Sequence, residues 1–347
     1  MAAGGYFGRA LVVDAGTAAA SVLPLSDDLL RAYLGGAGLG AWLMHRLAPP
    51  GIDPLAPEAP LAFVFSPLVG TPLTTSAKFA VVAKSPLTGM LNDALSSSHF
   101  AISGKLTGND AIVIRGACRR LSALLVDGDG VRLADAADLS GLPAAEAERR
   151  LRDRLGRGWR IAAIGPAGER GVRYATVSHD GRHAGRGGLG AVLGAKRLKA
   201  VAVRASAKVP SADPQAVLGA ARDLRARSFG PATAKYRELG TLANLLAFNA
   251  ISTLPSRNFQ TATFEEAPQL AAEELRSCAR SPATAAPRAR SAVSTSTGRR
   301  GASRRAWSTR TCSRSARCVV SPTPTRCSPP AAGVTSWGST RSRPAAP

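Results

Sequence analysis

The sequence predicts an α+β protein in three parts: a β-sheet-rich region over residues 1–208, the beginning of an α-helical region over 209–276, and a disordered, arginine-rich tail over 277–347. Three observations carry that division. Seven apolar runs rich in β-formers and punctuated by Gly and Pro fall before residue 207: LAFVFSPL, KFAVVAKSPLTG, AIVIRG, ALLVDG, RIAAIGPAG, RYATVSHD and KAVAVRAS. A polar, Pro-bearing linker from Val209 to Pro214 then gives way to two helical patterns, PQAVLGAARDLRAR and GTLANLLAFNA. From Cys278 to Pro347, 70 residues hold 13 Arg and no Lys, Asp or Glu. That stretch carries +13 of the net charge of +22, and the first 277 residues, with 32 basic and 23 acidic groups, carry +9.

The elements follow in order. GGYFGRALVVDAGTAAASVLPL alternates apolar and polar residues around Gly16 and predicts a β-hairpin. Ser26 is placed as an N-cap, with Asp27 and Asp28 in the first turn of a helix through LLRAYL. Gly35, Gly36 and Gly38 interrupt it, and LGAWLMHRL predicts a second helix. Between the later β-rich runs, SSHFAISGKL and AAEAERRLRDRL have helical spacing. No internal repeat of fixed period is visible.

Bulk composition bounds the function. A hydrophobic content of 45% with 35 Gly fits a globular mixed fold, and the part able to fold is near 275 residues. Apolar runs such as Pro60–Leu68 are too short to cross a bilayer, and no charged-then-apolar leader opens the chain, so a cytoplasmic protein with no membrane partner is expected. Four of the five Cys (Cys278, Cys312, Cys318 and Cys327) lie in the tail, and Cys118 beside AIVIRG reads as a small core or strand-end residue. This frame therefore offers no metal or disulfide framework.

An arginine-rich tail without a single Lys is unlike a nucleic-acid arm, which mixes both basic types, and is what a GC-rich gene yields out of frame. Joining the third base of each codon to the first two of the next, with wobble bases free to choose, ATAAPRARSAVSTS re-reads as DSCAACTIGCEHVY. WSTRTCSRSARCVVSPTPTRC likewise re-reads as EYENLFALGPLCGVSDADAV. The shifted frame regains acids, aliphatics and a C-x2-C-x3-C cluster. In the frame given, 13 arginines predict incidental, salt-sensitive nucleic-acid binding.

Four loops stand out: Gly35–Gly40, Lys84–Gly89, Ile164–Glu169 and Gly181–Gly190. The first invites a dinucleotide reading but follows a helix rather than a strand, so it lacks the required context. The last sets Arg182 and Arg186 among five glycines, which let backbone amides approach a ligand while the forked guanidinium donors hold phosphate or pterin oxygens. Other polar residues carry structural readings. His99 and His179 are expected to be structural or loop histidines, and Asp110 a turn residue before a strand. Arg257 and Asn258 either face a cofactor cleft or stabilise a turn.

Eight strings in order carry a resemblance: GYFGRALVVD, YLGGAGLGAWL, GIDPLAPEAPLAFVFSPLVGT, KFAVVAKSPLTG, SHFAISGKLTGNDAIVIRG, IAAIGPAGERGVRYATV, GRHAGRGGLGAVLGAKRLKAVAVR and LPSRNFQTATFEEA. Together, from Gly5 to about Leu275, they resemble the tungsten-containing aldehyde ferredoxin oxidoreductase family, and CAACTIGC in the shifted frame resembles its iron–sulfur cysteine run. The resemblance implies a sheet-built first domain cradling two molybdopterins, whose dithiolene sulfurs hold tungsten or molybdenum without a protein ligand. It also implies helical domains bearing 4Fe–4S cysteines, missing from this chain as given, and acid/base groups. The implied activity is oxidation of aldehydes to carboxylic acids with ferredoxin as electron partner, in a protein that can form a homodimer.

Implied pterin contacts fall on Lys78, Leu95, Ser97, Arg182, His183, Gly185 and Arg186; no catalytic residue is carried over. The chain departs from the family pattern at Lys78, where Arg is usual, and at Leu95-Ser96-Ser97-Ser98, where Asn-Ser-Gly-Gly is usual. Lys in place of Arg loses a bidentate fork. The alternatives are a non-functional frameshifted product, or a tail that binds nucleic acid.

Overall fold

In the computed structural model of the chain, residues 4–272 and Glu274 are described. The expectations of a disordered tail and of its cysteines lie outside these residues. Among them, twelve strands form two six-stranded mixed sheets. The first sheet contains β1 (Arg9–Asp14), β2 (Ala20–Pro24), β3 (Leu61–Phe65), β4 (Lys78–Lys84), β5 (Leu91–Ser97) and β6 (Ala111–Arg115), in the order β2-β1-β6-β3-β4-β5. The second contains β7 (Ser122–Asp127), β8 (Gly130–Asp135), β9 (Arg160–Ala163), β10 (Val177–His179), β11 (Arg182–Ala184) and β12 (Leu198–Val203), in the order β11-β10-β9-β12-β7-β8. Each sheet has one parallel pair, β1 with β6 and β12 with β7; the remaining pairs are antiparallel.

Nine α-helices accompany the sheets among the described residues: α1 (Asp27–Tyr33), α2 (Gly36–Leu47), α3 (His99–Lys105), α4 (Ala144–Leu155), α5 (Pro166–Glu169), α6 (Leu189–Ala195), α7 (Pro214–Ser228), α8 (Ala234–Leu239) and α9 (Leu245–Ala250). The predicted hairpin forms as β1 and β2. Ser26 caps α1 as expected, its hydroxyl accepting the Leu29 amide at 3.3 Å. Asp213 does the same for α7, accepting the Ala216 amide at 2.9 Å, with Pro214 in the first turn. No helix of the described residues is long and apolar enough to cross a membrane.

Layering explains why the β-rich runs are apolar throughout. In β3 all five residues are buried. Leu61, Phe63 and Phe65 enter a core between the two sheets, while Ala62 and Val64 pack under α1 and α2. The second sheet repeats the arrangement: Leu124 and Val126 face the shared core, and Ala123 and Leu125 face α4 with Trp159. Strands covered on both faces lose the apolar-polar alternation of a half-exposed sheet. A bulge between Leu198 and Ala200 lets Leu198 and Val201 both reach the shared core. It leaves the fully buried Lys199 to pair with Glu169 and donate to the Leu142 carbonyl at 2.8 Å.

Two polar or reactive residues of the sequence take buried places. Asp110 sits in the turn before β6, as expected, and is fully buried there, paired with the equally buried Lys105. Cys118 is buried at a strand end, as its neighbours predicted, with its thiol directed at the Ala15 carbonyl at 3.0 Å.

Candidate functional site

The edge strands β5 and β11 bring the two sheets together, and the join is polar. Ser96 of β5 donates to the His183 carbonyl of β11 at 3.2 Å, and Asn92 donates to the Arg186 carbonyl at 3.3 Å. Ser85, in the turn after β4, donates to the Gly187 carbonyl at 2.7 Å. The Gly181–Gly190 segment is therefore laced onto the β4–β5 hairpin. It is also more ordered than a loop: Arg182–Ala184 is β11, pairing with β10, and α6 begins at Leu189.

His179 fastens the join from within. It is fully buried, with Nδ1 at 2.7 Å from the Ser98 hydroxyl and Nε2 at 2.8 Å from the Ser96 hydroxyl. Ser96 spends its proton on His183, so it accepts from Nε2–H; Ser98 accepts the Phe100 amide at 3.0 Å and donates to Nδ1. The network assigns the neutral Nε2–H tautomer. The Phe79 ring packs on the imidazole at 4.9 Å between centroids. Burial pushes the His179 pKa down to about 4; Asp180 opposes the shift, and His183 and Arg182 reinforce it. His179 is structural, as its sequence context implied.

A pH dependence follows. Between the ordinary histidine value and about 4 the unfolded chain takes up a proton that folded His179 refuses, so stability falls as pH drops through this window. The loss should reach roughly 3 kcal/mol and then level off. Urea unfolding at pH 7 and pH 4.5 measures it. A His179→Gln variant, which has no proton to gain, should show a clearly shallower decline, and an identical decline would remove His179 as its source.

Beside this join lies a cavity of about 510 Å³. The segment from Thr71 to Ala77 between β3 and β4 forms one side, the junction of Lys78, Ser97, Ser98 and His99 the floor, and α7 the far wall. Lys78 and Ser97 are direct cross-strand partners on β4 and β5, and Arg182 lies opposite His179 on β10 and β11; the bonds of Ser96 to the His183 carbonyl and to His179 join the two hairpins, so residues distant in sequence meet here. Asp180 is the one carboxylate of the lining among the described residues. It is engaged by Arg152 at 3.4 Å and Arg160 at 4.0 Å, and accepts the Phe100 amide at 3.1 Å. Thr74 Oγ1, shielded from solvent, has no hydrogen-bond partner. Lys78, Arg182, Arg222 and Arg225 outnumber this one engaged carboxylate, so the described lining is net positive and suits an anion.

Of the sequence-assigned contacts, the structure brings Lys78, Ser97 and Arg182 into this cavity and leaves the other four outside its lining. Leu95 is exposed on β5 opposite Ala80. His183 lies on β11 with Nδ1 at 2.8 Å from the Ser178 hydroxyl, and burial lowers its pKa. Gly185 and Arg186 follow β11. Arg257 and Asn258 fall in a turn with positive φ of 50° and 57°, between the bridged Ser256 and Thr261, and Arg257 pairs with Glu265; neither lines the cavity. Sequence reading missed the Thr71–Ala77 wall and Arg222 and Arg225 of α7. The latter were visible only as helical spacing around two unexceptional arginines.

Among the described residues no group of three or more His, Cys, Asp or Glu side chains could hold a metal ion. A model of the aldehyde ferredoxin oxidoreductase N-terminal domain matches residues 10–205. Curated proteins named tungsten-containing aldehyde ferredoxin oxidoreductase are 36% identical over 275 residues in Thermococcus kodakarensis and 35% identical over 275 residues in Pyrococcus furiosus. Each alignment spans 78% of this chain and 46% of the relative, so the chain spans about half the length of these relatives. An aliphatic sulfonate oxidoreductase, WOR-like subunit, of Pyrococcus furiosus is 30% identical over 274 residues, spanning 74% of this chain and 43% of that protein. Among solved structures, the active site complex BamBC of benzoyl coenzyme A reductase, bound to 1,5-dienoyl-CoA, is 32% identical with a TM-score of 0.62, covering 68% of this chain and 35% of that one.

Proposed function

The chain belongs to the aldehyde ferredoxin oxidoreductase family, and from that membership we propose that residues 1–208 are the cofactor-cradling domain of an oxidoreductase and 209–276 the start of its helical second domain. The cavity between the sheets' junction and α7 takes the anionic end of a tungsten- or molybdenum-bearing pterin pair. The observation that supports this reading is the convergence of Lys78, Ser97 and Arg182, from different strands of both sheets, on one cavity lined by cations and hydroxyls. The donor set fits the phosphate-bearing part of such a cofactor. It does not fit a bare metal ion, so the cofactor's own sulfurs would hold the metal.

When bound, the cofactor supplies the two-electron redox chemistry. This chain's residues orient it. Lys78 and Arg182 offset phosphate charge, Ser97 offers a hydroxyl, and Leu95, His183, Gly185 and Arg186 at the same strand junction contact the remainder. The buried clamp of His179 with Ser96 and Ser98 holds the two sheets in register beneath it. We assign the complete protein the oxidation of aldehydes to carboxylic acids, with electrons leaving through a 4Fe–4S cluster to ferredoxin, in the cytoplasm and with a homodimer as the expected assembly. We read residues 277–347 as out of frame, which leaves the chain as given without cluster cysteines and inactive. The genomic sequence around codon 276 decides this: an uninterrupted shifted frame encoding C-x2-C-x3-C is expected, and its absence would make the tail genuine and return nucleic-acid binding to consideration.

The cofactor assignment is tested by expression in a host that makes tungsten- or molybdenum-pterin, followed by assay of released pterin and metal per chain. Lys78→Ala with Arg182→Ala should lower both at least fivefold while leaving the melting temperature within a few degrees, since both side chains are exposed. Unchanged pterin and metal would remove this cavity from the cofactor site.

A further inference from the structure

The far wall of the cavity is α7, and the stripe it turns inward is cationic. Leu218, Ala221, Arg222, Arg225 and Phe229 line the cavity at spacings of three and four residues, which places them on one helix face. Ala221 is the buried residue of that helix, marking this as its packed side. Such a face is ordinarily apolar, and here it presents two arginines.

The helix's own ion pair, Arg227 with Asp223 at 2.9 Å, involves neither of them and lies off the stripe. Among the described residues Arg222 has no hydrogen-bonded or ion-paired partner, and Arg225 only rests its guanidinium over the Phe229 ring, 5.9 Å from its centroid. Lys78 and Arg182, across the cavity, likewise have no acid partner there. Among the described residues, four cations without an acid partner therefore converge on a chamber whose one carboxylate is already held by Arg152 and Arg160. Thr74 adds a shielded hydroxyl with nothing to bond.

A phosphate monoester carries a charge of about −1.5 to −2, so four cations match two phosphate groups rather than one. Lys78 acts as a point charge, whereas a forked, bidentate grip must come from arginine. We propose that Arg222 and Arg225 complete a subsite for paired phosphate groups, either two monoesters side by side or one diphosphate. It rests on the reading of this cavity as the cofactor's anionic end, and it gives α7 a ligand-dependent role in closing that end.

The test is calorimetric titration of the full 347-residue chain with inorganic pyrophosphate and, separately, inorganic phosphate at fixed ionic strength. Arg222→Ala with Arg225→Ala should weaken pyrophosphate binding at least tenfold, and Arg222→Lys with Arg225→Lys should fall between this and the unaltered chain. Arg119→Ala with Arg120→Ala, an equal loss of charge at exposed residues outside the cavity, should change it less than twofold. The tail's arginines contribute the same background to every variant, and circular-dichroism melting verifies that each is folded. A preference for pyrophosphate points to a diphosphate ligand; two phosphates per chain with no such preference point to two monoesters. If Lys78→Ala with Arg182→Ala weakens binding while the α7 pair behaves like the Arg119/Arg120 control, the α7 subsite is overturned and the cofactor reading stands. If only the α7 pair matters, the cofactor reading fails and the anion site survives. If neither matters, both fall.

Discussion

Replacing Asp110 with Ala is expected to cost about 3–5 kcal/mol of stability, the range for removing one partner of a buried ion pair. Its carboxylate and the Lys105 ammonium are both fully buried and in contact. The carboxylate also accepts backbone N–H groups of Phe7 at 3.1 Å, Gly8 at 2.8 Å and Arg9 at 3.3 Å. These bonds set where the chain enters β1 and hence its parallel register on β6. Without Asp110 the three amides lose their acceptor, and Lys105 loses the counter-charge that offsets its burial. Burial already pushes the Lys105 pKa down, with Asp110 opposing, so removing Asp110 lowers it further and makes the buried ammonium costlier to hold. Urea unfolding of Asp110→Ala, Lys105→Met and the double variant forms a thermodynamic cycle. The double variant should be less destabilised than the sum of the single ones by at least about 2 kcal/mol. A cost under about 1 kcal/mol for Asp110→Ala would place the pair among weakly coupled surface bridges.

Gly188→Ala should be the most damaging single-methyl change at the sheet junction. Gly188 has φ 74°, and a Cβ there would lie 1.8 Å from the Arg173 carbonyl oxygen. That obstacle is backbone, so the segment must move. The conformational strain alone is about 1–2 kcal/mol, and displacing the carbonyl raises the total above about 3 kcal/mol, or a melting drop of roughly 6–12 °C for a domain of this size. Gly187 is the control. It shares φ 74°, but its added Cβ would meet the Asn92 side chain at 2.2 Å, which can rotate away at the cost of its bond to the Arg186 carbonyl. Gly187→Ala should therefore cost less than Gly188→Ala in thermal melts. The reverse order would show that the close approach to Arg173 is not what fixes glycine at 188.

The sequence itself carried the apolar runs, the cap at Ser26, and the composition break after the helical start. Strands buried on both faces are apolar along their length, and a cap is a local arrangement of a side chain with an amide three residues on. What it did not carry were β5, β8 and β11. LNDALSS and GVRLAD put polar or exposed residues on the outer face of edge strands, and RHA is a strand only because β10 pairs with it. Helix α6 was hidden in a glycine-rich string. Gly190 and Gly194 are there because a Cβ would lie 2.5 Å from the Thr176 carbonyl oxygen and 2.0 Å from that of Gly168, closeness that no local pattern announces.

The site divides in the same way. The identity of Lys78, Ser97 and Arg182 as candidates came from strings of sequence, since the residue types and their order are properties of the chain. Their meeting in one cavity, the fully buried His179 between two serine hydroxyls, and the inward turn of Arg222 and Arg225 were decided by tertiary structure alone. The physical reason is that cross-strand register and helix docking join residues about 100 positions apart through a shared apolar core, and a charge acquires its role only from what that packing places opposite it.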